Sequence, residues 1–319
     1  MSQGAEAGGL GSLRPFWRGS AQAWECDELG HLNVRFYLSK AMQALGGLAE
    51  AAGMVNAFKP SATATLILRE AHLRYHAEIM PGMPLVIRGC VESFDETQLT
   101  AAFVMTHAGT GAVHASQRLT VSHAGPDSGK PFAFAKRTRD MLQELSAPTP
   151  TLARMRGVTT EPADPDSSLE RADVLGLEET GRGRIDPADV DVFGRLRAEQ
   201  ILGKVSDTVI NFSRGLPEQW RTSLAGERQS IASAVLEARI LVRRMPRAGS
   251  GYVMRSGVTS VKPKTRQLVH WVLDSHTGAA LWSMEGVVCM MDLDARTLVA
   301  PDAATLEHLK AMTTEGLRA

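Results

Sequence analysis

The chain has 319 residues, 44% hydrophobic and 22% charged, a length that predicts about two domains of roughly 150 residues each. With 35 Lys+Arg against 35 Asp+Glu the net charge is +0, which excludes whole-protein steering toward nucleic acid or anionic lipid. Three widely spaced cysteines (Cys26, Cys90, Cys289) form no CxxC pair, and nothing approaches an apolar run of about 20 residues, so a reduced, cytoplasmic protein without a membrane span is expected.

Met1 to Leu13 is rich in Gly, Ala and Ser, without a cationic start or an apolar core, and predicts a loose tail instead of a signal peptide. A first domain is predicted over residues 13–125. It opens with a short strand from about Arg14, followed by an acidic loop. A helix is predicted over Asn33–Ala52, because Val34, Tyr37, Leu38, Ala41, Leu45, Leu48, Ala49 and Ala52 recur at spacings of three and four, with Gly53 as C-cap. Strand runs follow at Ala64–Ile79, Leu85–Phe94, Leu99–His107 and Ala112–Ser122, separated by short Gly-, Pro- and Asp-containing breaks that mark antiparallel hairpins. Residues 126–174 are punctuated by proline and predict a linker with one helix, over Phe132–Leu145.

A second domain is predicted over residues 175–299, in the same order as the first. A strand at Glu178–Ile185 and an acidic loop precede a helix at about Arg197–Arg214. Strands follow at Ser230–Val242, Gly251–Val261, Gln267–Asp274 and Ala279–Met291. Residues 300–319 form a tail with a helix over Ala303–Met312. Glu25 to Leu32 aligns with Asp189 to Leu196 at an offset of 164, both fitting acid-x-Asp-x-apolar-Gly-basic-Leu, and Gly111 aligns with Gly278 at an offset of 167. An internal duplication accounts for both.

Asp27 lies in a loop that feeds a helix whose first N–H groups have no intrahelical acceptor and carry the positive end of the dipole. An acyl carbonyl placed between carboxylate and helix start would have its oxygen polarised and its carbon exposed to the carboxylate, or to water that the carboxylate activates, the arrangement that acyl transfer needs. The same acidic turn also reads as a plain N-cap, and a duplication would copy a cap as readily as a site.

Strand, acidic loop, long helix and antiparallel sheet is the order of the hotdog fold. The string Trp24-Glu25-Cys26-Asp27-Glu28-Leu29-Gly30-His31-Leu32-Asn33-Val34-Arg35-Phe36-Tyr37 resembles the signature of acyl-CoA thioesterases similar to 4-hydroxybenzoyl-CoA thioesterase, which reads roughly Asp-x-Asp-x-x-Gly-His-Val-Asn-Asn-x-x-Tyr. The resemblance implies an α+β chain of two tandem hotdog domains, each a largely antiparallel sheet wrapped around a long central helix. It also implies Asp27 as nucleophile or general base and a backbone N–H near Val34 as oxyanion donor. Gly30 would shape the turn, with His31 and Asn33 orienting it. Glu25 departs from the usual first Asp, and Val34 stands where Asn is common. In the second copy Asp191 and Gly194 persist, but Arg195 replaces His and Arg197 takes the Asn position, which implies an altered site. Glu199 is a further carboxylate candidate there, although a solvated helix face is its ordinary place.

Other motifs are negative. Gly125 to Pro131 is one residue short of a phosphate loop, and no G-x-S-x-G is present. His72 and His76 lie in a strand run without the helix and Glu of a zinc motif, and read as polar surface. Cation candidates for the phosphates of CoA are Arg118 and the turn containing Lys262, Lys264 and Arg266. The expectation is therefore hydrolysis of an acyl-CoA or acyl-carrier-protein thioester, with no metal and no cofactor beyond the CoA of the substrate, in a homo-oligomer without nucleic-acid or membrane partners. The alternatives are a non-catalytic acyl-CoA-binding double hotdog and a hotdog hydratase or dehydratase.

Overall fold

The computed structural model describes residues 10, 13–27, 29–225 and 231–319, so nearly all of the Gly-rich start, Glu28 of the acidic loop, and Ser230 lie outside the described residues. The chain divides into two compact units, one running to Arg156 and including Asp191–Phe193, the other comprising Gly157–Val190 and Gly194–Ala319.

The first unit holds β1 (Arg14–Ser20), α1 (Val34–Ala51), β2 (Thr65–Tyr75), β3 (Pro84–Phe94), β4 (Gln98–His107), β5 (Val113–Ala124) and α2 (Lys136–Glu144). Its strands run β1-β3-β4-β5-β2, antiparallel at every step. The turns follow from local chemistry. Asp95 accepts the N–H groups of Thr97 and Gln98 at 2.7 and 2.8 Å, which closes the β3–β4 hairpin and holds its carboxyl below the usual range. Helix α1 lays Tyr37, Leu38, Ala41, Ala44, Leu45, Leu48 and Ala49 into the sheet's concave core. It approaches β1 so closely that a Cβ on Gly47 would sit 2.5 Å from the Phe16 carbonyl oxygen.

The second unit holds α3 (Leu169–Val174), β6 (Glu178–Arg184), α4 (Ala198–Thr208), α5 (Pro217–Ala225), β7 (Ile231–Val242), β8 (Gly251–Val261), β9 (Arg266–Asp274), β10 (Ala280–Asp292), β11 (Thr297–Val299) and α6 (Ala303–Ala311). Its sheet runs β6-β8-β9-β10-β7, again antiparallel, with β11 added to the end of β10. The two units are thus two tandem hotdog domains. Their β4–β5 and β9–β10 turns match at the 167-residue offset of Gly111 and Gly278, which puts His107 opposite Asp274.

Three expectations are corrected. The segment after the first sheet carries two α-helices, α2 and the short α3, where one was predicted. His72 is 1% exposed and is not polar surface, because the chain after α2 crosses that face of the sheet, where Arg74 and Ser116 donate to the Leu152 carbonyl at 2.7 and 2.8 Å. The second central helix is not continuous over Arg197–Arg214: α4 stops at Thr208, a 3-10 turn covers Val209–Asn211, and α5 starts at Pro217. The reason lies 164 residues after Gly47. Asn211 stands there, too large for the same close approach, and its Nδ2 donates at 3.2 Å to the Thr180 carbonyl, the counterpart of the Phe16 carbonyl.

Beneath that break the second core has also changed character. In the first unit Phe16 and Phe103 meet edge-on, with centroids 6.4 Å apart, over Gly89. The corresponding residues of the second unit are Thr180, His270 and Ser256, linked Thr180 Oγ1–Ser256 Oγ–His270 Nδ1 by two hydrogen bonds of 2.7 Å. A cavity of about 440 Å³ opens there, with Glu178, Phe212, Ser256 and Met312 in its wall.

Candidate active site

Cys26, Asp27 and residues 29–32 are paired as a miniature hairpin. Cys26 and Leu32 make an antiparallel bridge, Asp27 N–H donates to the His31 carbonyl at 3.1 Å, and Gly30 N–H donates to the Asp27 carbonyl at 3.0 Å. The turn requires a left-handed residue, and Gly30 supplies it at φ 78°. Inside this turn the Asp27 side chain accepts Leu29 N–H at 3.1 Å, as aspartate does in an Asx turn. Asn33 then caps α1, its side chain accepting Arg35 N–H at 3.1 Å, and Val34 is the first helical residue.

Asp27 is 14% exposed at its side chain, and its Oδ1 lies 3.3 Å from His31 Nδ1. His31 Nε2 lies 3.8 Å from Glu78 Oε1 on the segment after β2. Tyr37, one turn into α1, completes the group. Its hydroxyl is pushed far above the usual phenol range by burial first, then by the charge of Glu78, with Asp27 adding to the effect and a backbone hydrogen bond from Ile79 opposing it. The structure therefore brings Asp27, Gly30, His31, Asn33 and Val34 together, and adds Glu78 and Tyr37. Tyr37 was visible as the last residue of the signature. Glu78 carries no local signal; the Leu32 N–H to Ile79 carbonyl bond, 2.8 Å, draws its segment to the loop.

The neighbouring thiol is a poorer candidate. Burial, then the charges of Asp27 and Glu25, raise the Cys26 pKa, so its thiolate is disfavoured at neutral pH. Among the described residues no three His, Cys, Asp or Glu side chains are grouped to hold a metal ion.

The second copy keeps the hairpin but changes its lining. Phe193 N–H donates to Asp191 Oδ1 at 2.8 Å, Gly194 has φ 72°, and Val190 bridges Leu196. Arg195, in the place of His31, is 8% exposed. Arg197 replaces the capping Asn33 and offers no side-chain acceptor to the helix. Glu199 is not a solvated residue: its side chain is 13% exposed and lies 3.4 Å from Arg197 Nη1.

The cation candidates divide. Arg118 is committed to Glu92, with Nε–Oε2 at 2.7 Å, and Arg266 is buried against Glu218 at 2.7 Å and the Gly215 carbonyl. Neither is a spare charge for a phosphate. Lys262 and Lys264 are exposed on the β8–β9 turn.

Comparison with known proteins places these features in a wider set. The model of the thioesterase-like superfamily matches residues 21–144 and 185–309, so both copies are covered. Comparison with curated proteins gives no match. Among solved structures, the 12:0-ACP thioesterase from Umbellularia californica superposes with a TM-score of 0.65 at 10% identity, over 87% of this chain and 94% of that one. A protein assigned as an oleoyl thioesterase from Lactobacillus plantarum gives 0.64 at 10% identity, over 87% and 96%. An acyl-ACP thioesterase from Bacteroides thetaiotaomicron gives 0.61 at 11% identity, over 87% and 98%. At these identities the likeness is one of fold.

Proposed function

Because the chain belongs to the thioesterase-like superfamily, we propose that it hydrolyses an acyl thioester of coenzyme A or of an acyl carrier protein, with Asp27 as the acting carboxylate. One observation carries the assignment to Asp27. Its carboxylate is held in a hairpin that ends at the start of α1, with one oxygen engaged by Leu29 N–H and by His31. The superfamily match and the three acyl-thioesterase folds support the reaction class.

As a general base, Asp27 takes a proton from water while the water oxygen adds to the carbonyl carbon. The first-turn N–H groups of α1 receive the negative charge that develops on the carbonyl oxygen. The C–S bond then breaks, and the leaving sulfur takes up a proton that His31 is placed to pass on. As a nucleophile, Asp27 would instead form a mixed anhydride and release the thiol first, after which water cleaves the anhydride. No cofactor is required by either route beyond the CoA or carrier portion of the substrate.

The decisive experiment is thiol release from hexanoyl-, decanoyl- and benzoyl-CoA and from acyl carrier protein, with Asp27→Asn as control. The variant is expected to keep the wild-type melting temperature and to lose about 10²–10⁴-fold in kcat, the range a positioned general base supplies. Turnover by Asp27→Asn at the wild-type rate would remove Asp27 from the reaction. Rapid quench with enzyme in excess separates the routes: an acyl-sized mass increase on the Asp27 peptide marks the nucleophilic one.

A further inference from the structure

We propose that the buried Glu25–Lys40 ion pair is a positioning device that fixes the Asp27 hairpin against α1, a role that rests on the reading of Asp27 given above. Lys40 is 3% exposed, and its Nζ lies 2.8 and 2.7 Å from the two carboxylate oxygens of Glu25. The same nitrogen stands 5.2 Å from the centre of the Trp17 ring on β1. Glu25 grips the loop at two further points. Its Oε2 accepts Gln22 N–H at 2.9 Å, and its carbonyl accepts Asn33 N–H at 3.0 Å. One residue thereby ties the start of the loop, its end, and the second turn of the helix, and Asp27 sits between those ties.

The pair is not explained by stability. Taking two charges out of water costs about what their attraction returns, so an apolar pair of similar size would hold the same elements together as well. Charges fix direction and distance in a way that apolar side chains do not, and a carboxylate that must face a carbonyl carbon needs both.

The second unit supplies the independent observation. Lys204 Nζ lies 2.6 Å from Asp189 Oδ2, 164 residues after Lys40 and Glu25, and Arg197 N–H donates to the Asp189 carbonyl at 2.9 Å as Asn33 does to Glu25. The acid is shorter there by one methylene, and His31 and Asn33 have both been replaced, yet the acid–lysine tie persists. It therefore belongs to the hairpin and its seat on the helix, not to the histidine or the cap.

The test is the full-length double variant Glu25→Gln with Lys40→Met. It removes both charges, leaves no lone buried ion, and keeps an amide oxygen for Gln22 N–H. Its melting temperature is expected within about 3 °C of wild type, since neither a cavity nor an unpaired charge is created. Amide exchange in the peptide covering residues 22–33 is expected to accelerate about tenfold or more, with the interior of α1 unchanged. On the acyl-CoA panel kcat is expected to fall about 10–100-fold with KM within about twofold, and Lys40→Arg, which keeps the charge, to retain most of the wild-type kcat. Unchanged exchange over 22–33 in the folded double variant overturns the proposal whether or not the protein is active. So does an unchanged kcat, or a loss of kcat matched by an equal loss of folded protein. If exchange accelerates as expected but the wild-type protein releases no thiol from any thioester, the positioning of the hairpin stands and the proposed reaction falls.

Discussion

Both oxygens of Glu25 face Lys40, whereas Asp27, two residues on, faces a backbone N–H and an imidazole. In the proposed reaction, surroundings and not residue type separate a tethering carboxylate from one offered to chemistry. A third titratable residue shows the same rule in the second unit. His270 is 2% exposed, and burial pushes its pKa down to about 4, where Phe103 occupies the matching place in the first unit. Its folded value lies below the unfolded one, near 6.5, so its contribution to stability is complete above about pH 6.5 and is lost as the pH falls toward 4. The shift corresponds to about 3 kcal/mol. His270→Phe is expected to remove that loss, so that denaturant midpoints measured from pH 7.5 down to 4 fall less steeply than those of wild type. A slope as steep as the wild-type one would assign the acid sensitivity to other groups. Asp27 and Gly30 were legible in sequence because an acidic residue and a tight-turn glycine are written just ahead of the helix start, and Asn33 because it falls within the signature string that the loop resembles. Glu78 and Lys40 were not. Each meets the loop only after the fold has returned a distant segment or wound a helical turn.

Strand alternation and turn chemistry carried the reading of the larger elements, and the sheet strands lie within a few residues of their predicted positions. The failure was the second central helix. Periodicity continues through Val209 and Phe212, and nothing in the pattern reveals that a backbone carbonyl of β6 occupies the room a straight helix would need. That information is tertiary: it requires knowing that Gly47 touches the Phe16 carbonyl in the first unit. Gly47→Ala tests the contact. An exposed helical glycine replaced by alanine gains about 1 kcal/mol of propensity. Here the new methyl would press on backbone that cannot swing aside, an overpacking cost of about 1–3 kcal/mol, so a net loss of stability is expected. A rise in melting temperature would show that α1 has slack against β1.

For the molecule as a whole, equal numbers of acids and bases leave no net field. Two of the four candidate phosphate cations, Arg118 and Arg266, are held by carboxylates. Association with a polyanionic substrate then depends on short-range contacts, not on steering. Between about 0.05 and 0.3 M salt, kcat/KM for an acyl-CoA is expected to change by less than about threefold. A steep fall would point to a basic patch that the pairing conceals. Among the described residues no helix is long and apolar enough to cross a membrane.

The constant offset between the copies has one more consequence. From Arg14 and Glu178 at the first strands, through Lys40 and Lys204, to Gly47 and Asn211, every counterpart lies 164 residues away. Beyond the helices the interval is 167, as between Thr65 and Ala232 in the matching ladders and between Pro84 and Gly251. Side chains have drifted across the whole repeat, but chain length has drifted only after the loop and most of the helix are complete. An added residue within that part of the helix would rotate every later helical side chain by about 100°. The chain therefore carries its own record of tolerated insertions. It marks the stretch from the first strand through most of the helix as fixed in length, and the three added residues of the second unit fall between Asn211 and Ala232.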